Sequence, residues 1–233
     1  MSTEVEPTGV ETMVDGELRT YQELDGQAAA CTVLSRMLLN APDQAVLDAT
    51  READMLAAWP LPPSEATSRG LAAWRRSAEI SEDEHSVRRD HRRLFVGPGP
   101  LLAPPYESVH RSVDRLVFEE QTLQVRAVYA RHGLAAPQLD RHPDDHIGLE
   151  LDLLATLSLR AMDALDADDA ATAAELEDAQ RTFLAEHLLR WAPGLMLTIE
   201  QQADTDFYRG VGALGTGLLE ELRRWVVGPS VES

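Results

Sequence analysis

From Gly26 onward the large apolar residues recur three and four positions apart, and no stretch alternates apolar and polar residues as a half-buried strand would. That spacing predicts an all-α chain folded as a single multi-helix domain. Val87, His91, Leu94 and Phe95 share one helix face, and Phe207, Val211, Leu214 and Leu218 share another. Leu176, Phe183, Leu184, His187, Leu188 and Trp191 also keep helical spacing. Between them, Ile147, Leu151 and Leu154 line one side of a helix while Leu149, Leu153 and Leu157 line a second side. A helix that is apolar on two faces has no side left for water, so it belongs at the centre of the fold.

Proline, glycine and capping residues divide this pattern into helices. Asn40-Ala41-Pro42 closes a helix over Ala28 to Leu39, and Trp59-Pro60-Leu61-Pro62-Pro63 closes one over Asp43 to Trp59. Ser64 caps a helix reaching Ile80. Ser81-Glu82-Asp83-Glu84 has the S-x-x-E form of a capping box, opening a helix to Phe95. Val96 to Tyr106 is irregular because six of its residues are proline or glycine. Gly133 is a natural left-handed stop, Pro143 opens the central helix, and Asp168-Asp169 opens the next. Ala192-Pro193-Gly194 is expected to end that helix, and the last helix ends before Gly228. Residues 1–24, acidic and poor in large apolar groups, read as a flexible tail. Residues 25–228 read as the helical domain and 229–233 as a short C-terminal tail.

Charge and cysteine content then remove function classes. The 233 residues include 40 acidic and 21 basic ones, for a net charge of −19 and a pI near 4.6; every basic residue is arginine. Such a field repels nucleic acid and anionic membranes, so neither is an expected partner. Cys31 is the single cysteine, which excludes an internal disulfide and any cysteine-built metal site. No apolar run is long enough to span a bilayer, and Met1 to Gly16 lacks the basic start of a signal peptide, so a cytoplasmic protein is expected.

Few residues suggest chemistry. Glu82-x-x-His85 and Glu107-x-x-His110 have the Glu-x-x-His form of di-metal helical bundles, but such a site needs both pairs on facing helices and two further glutamates. Arg88, Arg89, Arg92 and Arg93 fit a solvated helix end, where cations complement the helix dipole. Gly97-Pro98-Gly99-Pro100 cannot cradle a phosphate through successive amides, since proline has none, and its apolar companions suit packing or binding. Asp144-Asp145-His146, followed by Glu150 one turn on, is either a helix start stabilised by carboxylates or an acid–base pair. No serine or cysteine completes a nucleophilic arrangement, so an enzyme is not expected.

Two longer patterns carry more. Arg93-Leu94-Phe95-Val96-Gly97-Pro98-Gly99, followed by Ala103-Pro104-Pro105-Tyr106-Glu107-Ser108-Val109, resembles the L-F-x-G-P … P-P-x-x-S-V motif of the TorD/DmsD/NarJ redox-enzyme maturation chaperones. Pro143-Asp144-Asp145-His146-Ile147-Gly148 resembles that family's E-P-x-D-H motif, with His142 in place of the glutamate. Asn40-Ala41-Pro42, Trp59-Pro60-Leu61-Pro62, His187-Leu188-Leu189-Arg190-Trp191 and Phe207-Tyr208-Arg209 match in order and spacing. From Leu94 to His146 the likeness is to the DmsD and TorD branch.

The resemblance implies an all-helical, cofactor-free cytoplasmic chaperone, monomeric or homodimeric. Its partner would be the catalytic subunit of a molybdopterin oxidoreductase of the dimethyl-sulfoxide or trimethylamine-N-oxide reductase type. The chaperone would bind that subunit's twin-arginine signal peptide or apo form until the cofactor is inserted. It nominates Leu94, Phe95, Pro105, Tyr106, Pro143, Asp145 and His146 as the peptide-binding surface. On that reading Asp145, with Asp144 or Glu107, receives the peptide's arginines, and Leu94, Phe95, Pro105 and Tyr106 receive its apolar stretch. A nitrate-reductase chaperone of the NarJ kind and a metal-dependent helical enzyme are the alternatives.

Overall fold

A computed structural model describes residues 18–112, 116–117, 119–135 and 142–227. Residues 1–17 of the expected N-terminal tail and the whole expected C-terminal tail, 229–233, lie outside them. Helix α1 (Tyr21–Leu39) begins in a capping box that the polar composition hid. The Thr20 hydroxyl accepts from Glu23 N–H while the Glu23 carboxylate accepts from Thr20 N–H, at 3.3 and 2.7 Å. Such a cap stabilises a helix end by about 1 kcal/mol. The expected tail boundary at residue 24 therefore falls inside the helix, and Leu24 is buried.

The expected helix from Asp43 to Trp59 is instead two, α2 (Gln44–Arg51) and α3 (Ala53–Ala57), separated by extended backbone at Glu52. Arg51 at the break is buried, and one guanidinium nitrogen donates to the carbonyls of Ser77 and Glu82. Helix α4 (Glu65–Glu79) starts as expected, with the Ser64 hydroxyl accepting from Thr67 N–H.

Helix α5 (Glu84–His91) does not use the expected Ser81 cap. Asp83 caps it, accepting from Ser86 N–H at 2.7 Å, while Ser81 takes a left-handed φ of 54°. The Glu82 carboxylate is committed elsewhere: it accepts from Asp206 N–H and Phe207 N–H at 2.7 and 3.0 Å, across the chain. A π-helical turn over Arg92–Val96 follows and ends at Gly97, whose φ of 91° suits glycine.

After α6 (Glu107–Arg111) and α7 (Glu120–Arg131), Gly133 stops the chain at φ 63°. Leu134 N–H donates to the Tyr129 carbonyl and Gly133 N–H to that of Ala130, the paired bonds of a Schellman ending. Helix α8 (Ile147–Asp166) starts at Ile147, four residues after the expected Pro143, and is the central buried helix its two apolar faces require. Helix α1 packs along it. A Cβ on Gly148 would stand 2.5 Å from Leu39 Cγ, so only glycine lets the two backbones approach this closely. Ser35 Oγ donates to the Gly148 carbonyl at 2.7 Å in the same contact.

Helix α9 (Ala170–Phe183) opens at Asp169 and runs into a second π-helical turn, Leu184–Leu188. The expected stop at Ala192-Pro193-Gly194 is absent: α10 (Leu189–Gln202) passes through all three residues. Proline normally clashes with the carbonyl four residues earlier. Here that residue is Leu189, whose ψ of −9° lies well outside the α-helical value and turns its carbonyl aside. Helix α11 (Asp206–Val227) packs on α4 and α10, and Trp74 stacks on Phe207 with ring centroids 5.5 Å apart. The fold is all-α; among the described residues no strand forms, and no helix is long and apolar enough to cross a membrane.

Candidate functional site

The two hallmark segments meet side by side. Tyr106 and His146 form an isolated antiparallel bridge, with Glu107 N–H donating to the Asp145 carbonyl and Ile147 N–H to that of Pro105, at 2.9 and 2.8 Å. The π-helical turn presents the Leu94 carbonyl to Ala103 N–H, which brings the Pro-Gly loop back toward the junction.

Asp145 organises the meeting point. Its side chain is 0% exposed, and Oδ2 accepts from Ser108 N–H in the first turn of α6 at 2.8 Å. Oδ1 accepts from the Thr122 hydroxyl on α7, also at 2.8 Å. One carboxylate thus ties α6, α7 and the start of α8 together. His146 caps α8, its Nδ1 accepting from Gly148 N–H at 3.0 Å, which requires that nitrogen to be unprotonated. Burial, then the neighbouring His142 and His91, hold its pKa well below the usual histidine value. Burial, helped by His142 and Arg88, also outweighs a Leu38 backbone hydrogen bond and Asp90 at His91, whose pKa falls to about 4. The Tyr106 ring stands edge-on to His146 at 5.2 Å.

Beneath the junction lies an acid cluster. Glu107 is buried between Arg111 and His187, with His187 Nδ1 at 2.9 Å from its carboxylate. Glu150, also fully buried, accepts from Trp191 Nε1 at 3.3 Å. Burial, followed by repulsion from Glu107 and Asp145, pushes the Glu150 carboxyl well above its ordinary range. A carboxyl held this way keeps its proton to higher pH than an ordinary glutamate.

All seven nominated residues gather in one region, but six of them are buried. Leu94 and Phe95 are core; Phe95 packs edge-on against His91 and Tyr208 at 5.1 and 5.7 Å. Pro105, Pro143, Asp145 and His146 are buried as well, and Tyr106 alone is half-exposed. The expectation that Asp145, Asp144 and Glu107 present carboxylates to an incoming arginine is therefore corrected. Each already has an internal partner, Asp144 pairing with Arg126 at 2.6 Å. The acid–base reading of His146 with Glu150 also fails, because the first caps a helix and the second meets Trp191. Apolar side chains do reach the surface in the flanking loop, notably Val96 at 61% and Leu102 at 39% exposure.

The two Glu-x-x-His pairs do not converge. Glu82 caps α11 and Glu107 sits in the buried cluster, and no group of three or more histidine, cysteine or acidic residues among those described has a metal-holding arrangement. Cys31 is buried, and burial raises its thiol to about 12. Arg88, Arg89 and Arg92 are exposed, whereas Arg93 reaches Asp90 and Asp204. Sequence reasoning missed Thr122, Trp191 and His187 as parts of the junction. Only the His187-to-Trp191 motif match pointed toward the last two.

A family model described as the nitrate reductase delta subunit matches residues 62–196, more than half of the chain. The Tat proofreading chaperone DmsD of Salmonella typhi is 26% identical over 216 residues, covering 91% of this chain and 96% of that protein. The probable Tat proofreading chaperone DmsD of Haemophilus influenzae is 27% identical over 144 residues, 62% of each chain. Chaperone protein TorD of Photobacterium profundum is 27% identical over 115 residues, 49% of this chain and 52% of that protein. With the match to the family model, the all-α fold and the joined motifs, the chain belongs to the TorD/DmsD/NarJ family of redox-enzyme maturation chaperones, which are not enzymes.

Proposed function

We propose that this chaperone acts in the cytoplasm on the catalytic subunit of a molybdopterin oxidoreductase of the dimethyl-sulfoxide or trimethylamine-N-oxide reductase type. It binds that subunit's twin-arginine signal peptide or apo form and holds it until the cofactor is inserted. The observation that carries this reading is similarity over 91% of the chain to a protein named a Tat proofreading chaperone. The peptide's apolar stretch lies against Tyr106 with the exposed Val96 and Leu102. Leu94, Phe95, Pro105, Pro143, Asp145 and His146 act from below, as the frame that holds this surface in shape. The net charge of −19 draws a basic peptide toward the protein without requiring any one carboxylate to pair with it.

Pulldown from the native host followed by mass spectrometry identifies the client. Calorimetric titration with that client's signal peptide then tests the surface, and Tyr106→Ala should weaken binding while circular dichroism remains unchanged. A folded Tyr106→Ala variant that binds as tightly as the parent refutes this placement. A nitrate-reductase client is the second reading, favoured by the description of the matching family model. Recovery of a nitrate reductase catalytic chain in the pulldown would select it.

A further inference from the structure

One surface pocket reverses the charge balance of the chain. Acidic residues outnumber arginines by 40 to 21 overall, yet three arginines and one acid, Glu186, line a polar pocket of about 420 Å³. It lies between α6, α7 and the place where the second π-helical turn meets α10. Gln124, Ala127 and Arg131 stand at i, i+3 and i+7 on one face of α7, and Arg190 follows Glu186 by one turn. Arg111 reaches in from α6, donating to the Glu186 carbonyl at 2.9 Å and pairing with Glu107 beneath.

These charges are only partly spent on one another. Glu107 is buried and already serves both Arg111 and His187. Arg131, Arg190 and Glu186 are exposed, and among the described residues no group of opposite charge stands within 4.0 Å of any of the three. Arg190 donates through Nε to the Ala185 carbonyl at 2.9 Å, and its two terminal nitrogens meet no acceptor among the described residues. Two guanidinium groups on different helices therefore stand open toward one pocket, opposed by one exposed carboxylate. Glu175 and Asp178 line the neighbouring depression of about 250 Å³, which shares Arg131, Glu186 and His187, and do not line this one. The pocket is within the size range of small-molecule sites and much larger than a single oxyanion, and Ala127 gives it a small apolar wall one turn before Arg131.

We infer that this pocket binds a short-chain dicarboxylate, one carboxylate meeting the Arg190 guanidinium and the other that of Arg131. A guanidinium presents a planar fork of donors matched to a carboxylate, and two forks set apart call for two carboxylates joined by a spacer. Glu186 opposes the ligand, but its exposed side chain can turn toward water, so it weakens binding without blocking the pocket. The inference does not depend on where the client peptide binds.

Glutarate serves as the probe, titrated into the isotope-labelled full chain and followed by amide chemical shifts, beside pentanoate, inorganic phosphate and uncharged glutaramide. Glutarate should bind saturably with a Kd of about 1 mM. Pentanoate and phosphate, which cannot reach both forks, should bind about tenfold more weakly, and glutaramide not at all. Arg131→Gln and Arg190→Gln should each cost about tenfold. Arg224→Gln makes the same change in net charge outside the pocket and should leave the affinity unchanged. Glu186→Gln should act in the opposite direction, tightening glutarate about threefold by removing the opposing charge. Circular dichroism confirms that these surface variants fold. No saturable glutarate binding, or pentanoate, phosphate or glutaramide bound as tightly, would overturn the inference. So would folded Arg131→Gln and Arg190→Gln variants that match the parent, or an equal loss in Arg224→Gln, which would trace the effect to net charge alone.

Discussion

Replacing Asp145 separates a carboxylate that holds the fold from one that meets a ligand. In the structure it accepts from Ser108 N–H and from the Thr122 hydroxyl, both at 2.8 Å and both out of water. Hydrogen bonds to a charged group contribute about 1.5–3 kcal/mol each, and a buried amide left without an acceptor costs about 1–3 kcal/mol. Asp145→Ala loses both bonds and strands Ser108 N–H, so a loss of about 3–5 kcal/mol is expected after some relief of repulsion with Glu107 and Glu150. Asp145→Asn is milder. Its amide oxygen still accepts from Ser108 N–H, its NH₂ donates to a rotated Thr122 hydroxyl, and the cost falls to about 1–2 kcal/mol.

Urea denaturation followed by circular dichroism gives both values, with Thr122→Val as the partial case at about 1 kcal/mol. Signal-peptide affinity measured on folded Asp145→Asn should stay within twofold of the parent. If Asp145→Asn keeps its full stability and loses tenfold in peptide affinity, the carboxylate faces the ligand and the reasoning from its internal partners is refuted.

Glu150 should oppose folding as pH rises. Its carboxyl holds its proton to higher pH in the fold than when unfolded, so stability falls as pH climbs above the ordinary glutamate range, by up to about 1.4 kcal/mol per pH unit. Glu150→Gln should remove that slope in denaturation curves taken from pH 5 to 8 and be more stable than the parent at the upper end. His91 and His146 act in the opposite direction: both are neutral in the fold, so their contribution is present above about pH 6.5 and is lost as pH falls toward 4, with His91→Gln flattening the acid limb. Glu82→Ala should cost about 1–3 kcal/mol by uncapping α11, with no change in the metal content of the purified protein. Gly148→Ala should cost about 1–3 kcal/mol in thermal or urea unfolding, since its Cβ would meet Leu39 Cγ at 2.5 Å.

Elements whose causes are local in sequence were legible. Apolar spacing placed α8 at the centre, Ser64 marked a cap, and Gly133 marked a stop whose bonds all lie within five residues. Departures arose where a distant partner decided the outcome. Ser81 and Glu84 have the spacing of a capping box, but Glu82 is drawn to the start of α11 and the helix begins at Asp83 instead. Pro193 reads as a helix stop until the π-helical turn before it moves the Leu189 carbonyl. Nor did the spacing of Asp145 reveal Ser108 and Thr122 as its donors, since they lie on α6 and α7, far from it in sequence.

The candidate site shows the same division. Motif resemblance nominated residues that the fold does bring together, yet it could not tell a side chain that contacts a ligand from one that builds the wall behind it. Burial makes that distinction. A carboxylate with two internal donors and no exposed surface would have to break both bonds before meeting a guanidinium, and a surface ion pair worth about 0–1 kcal/mol cannot offset that loss. Attraction of a basic peptide therefore falls to exposed acids acting together, a long-range effect that weakens with salt. On the reading proposed above, specific grip falls to apolar contact at Tyr106 and its neighbours, which salt leaves largely unchanged. Raising ionic strength should accordingly slow peptide association much more than it speeds dissociation, and stopped-flow measurement of both rates against salt checks this. A dissociation rate that rises as steeply as association falls would return the grip to a direct carboxylate–arginine pair.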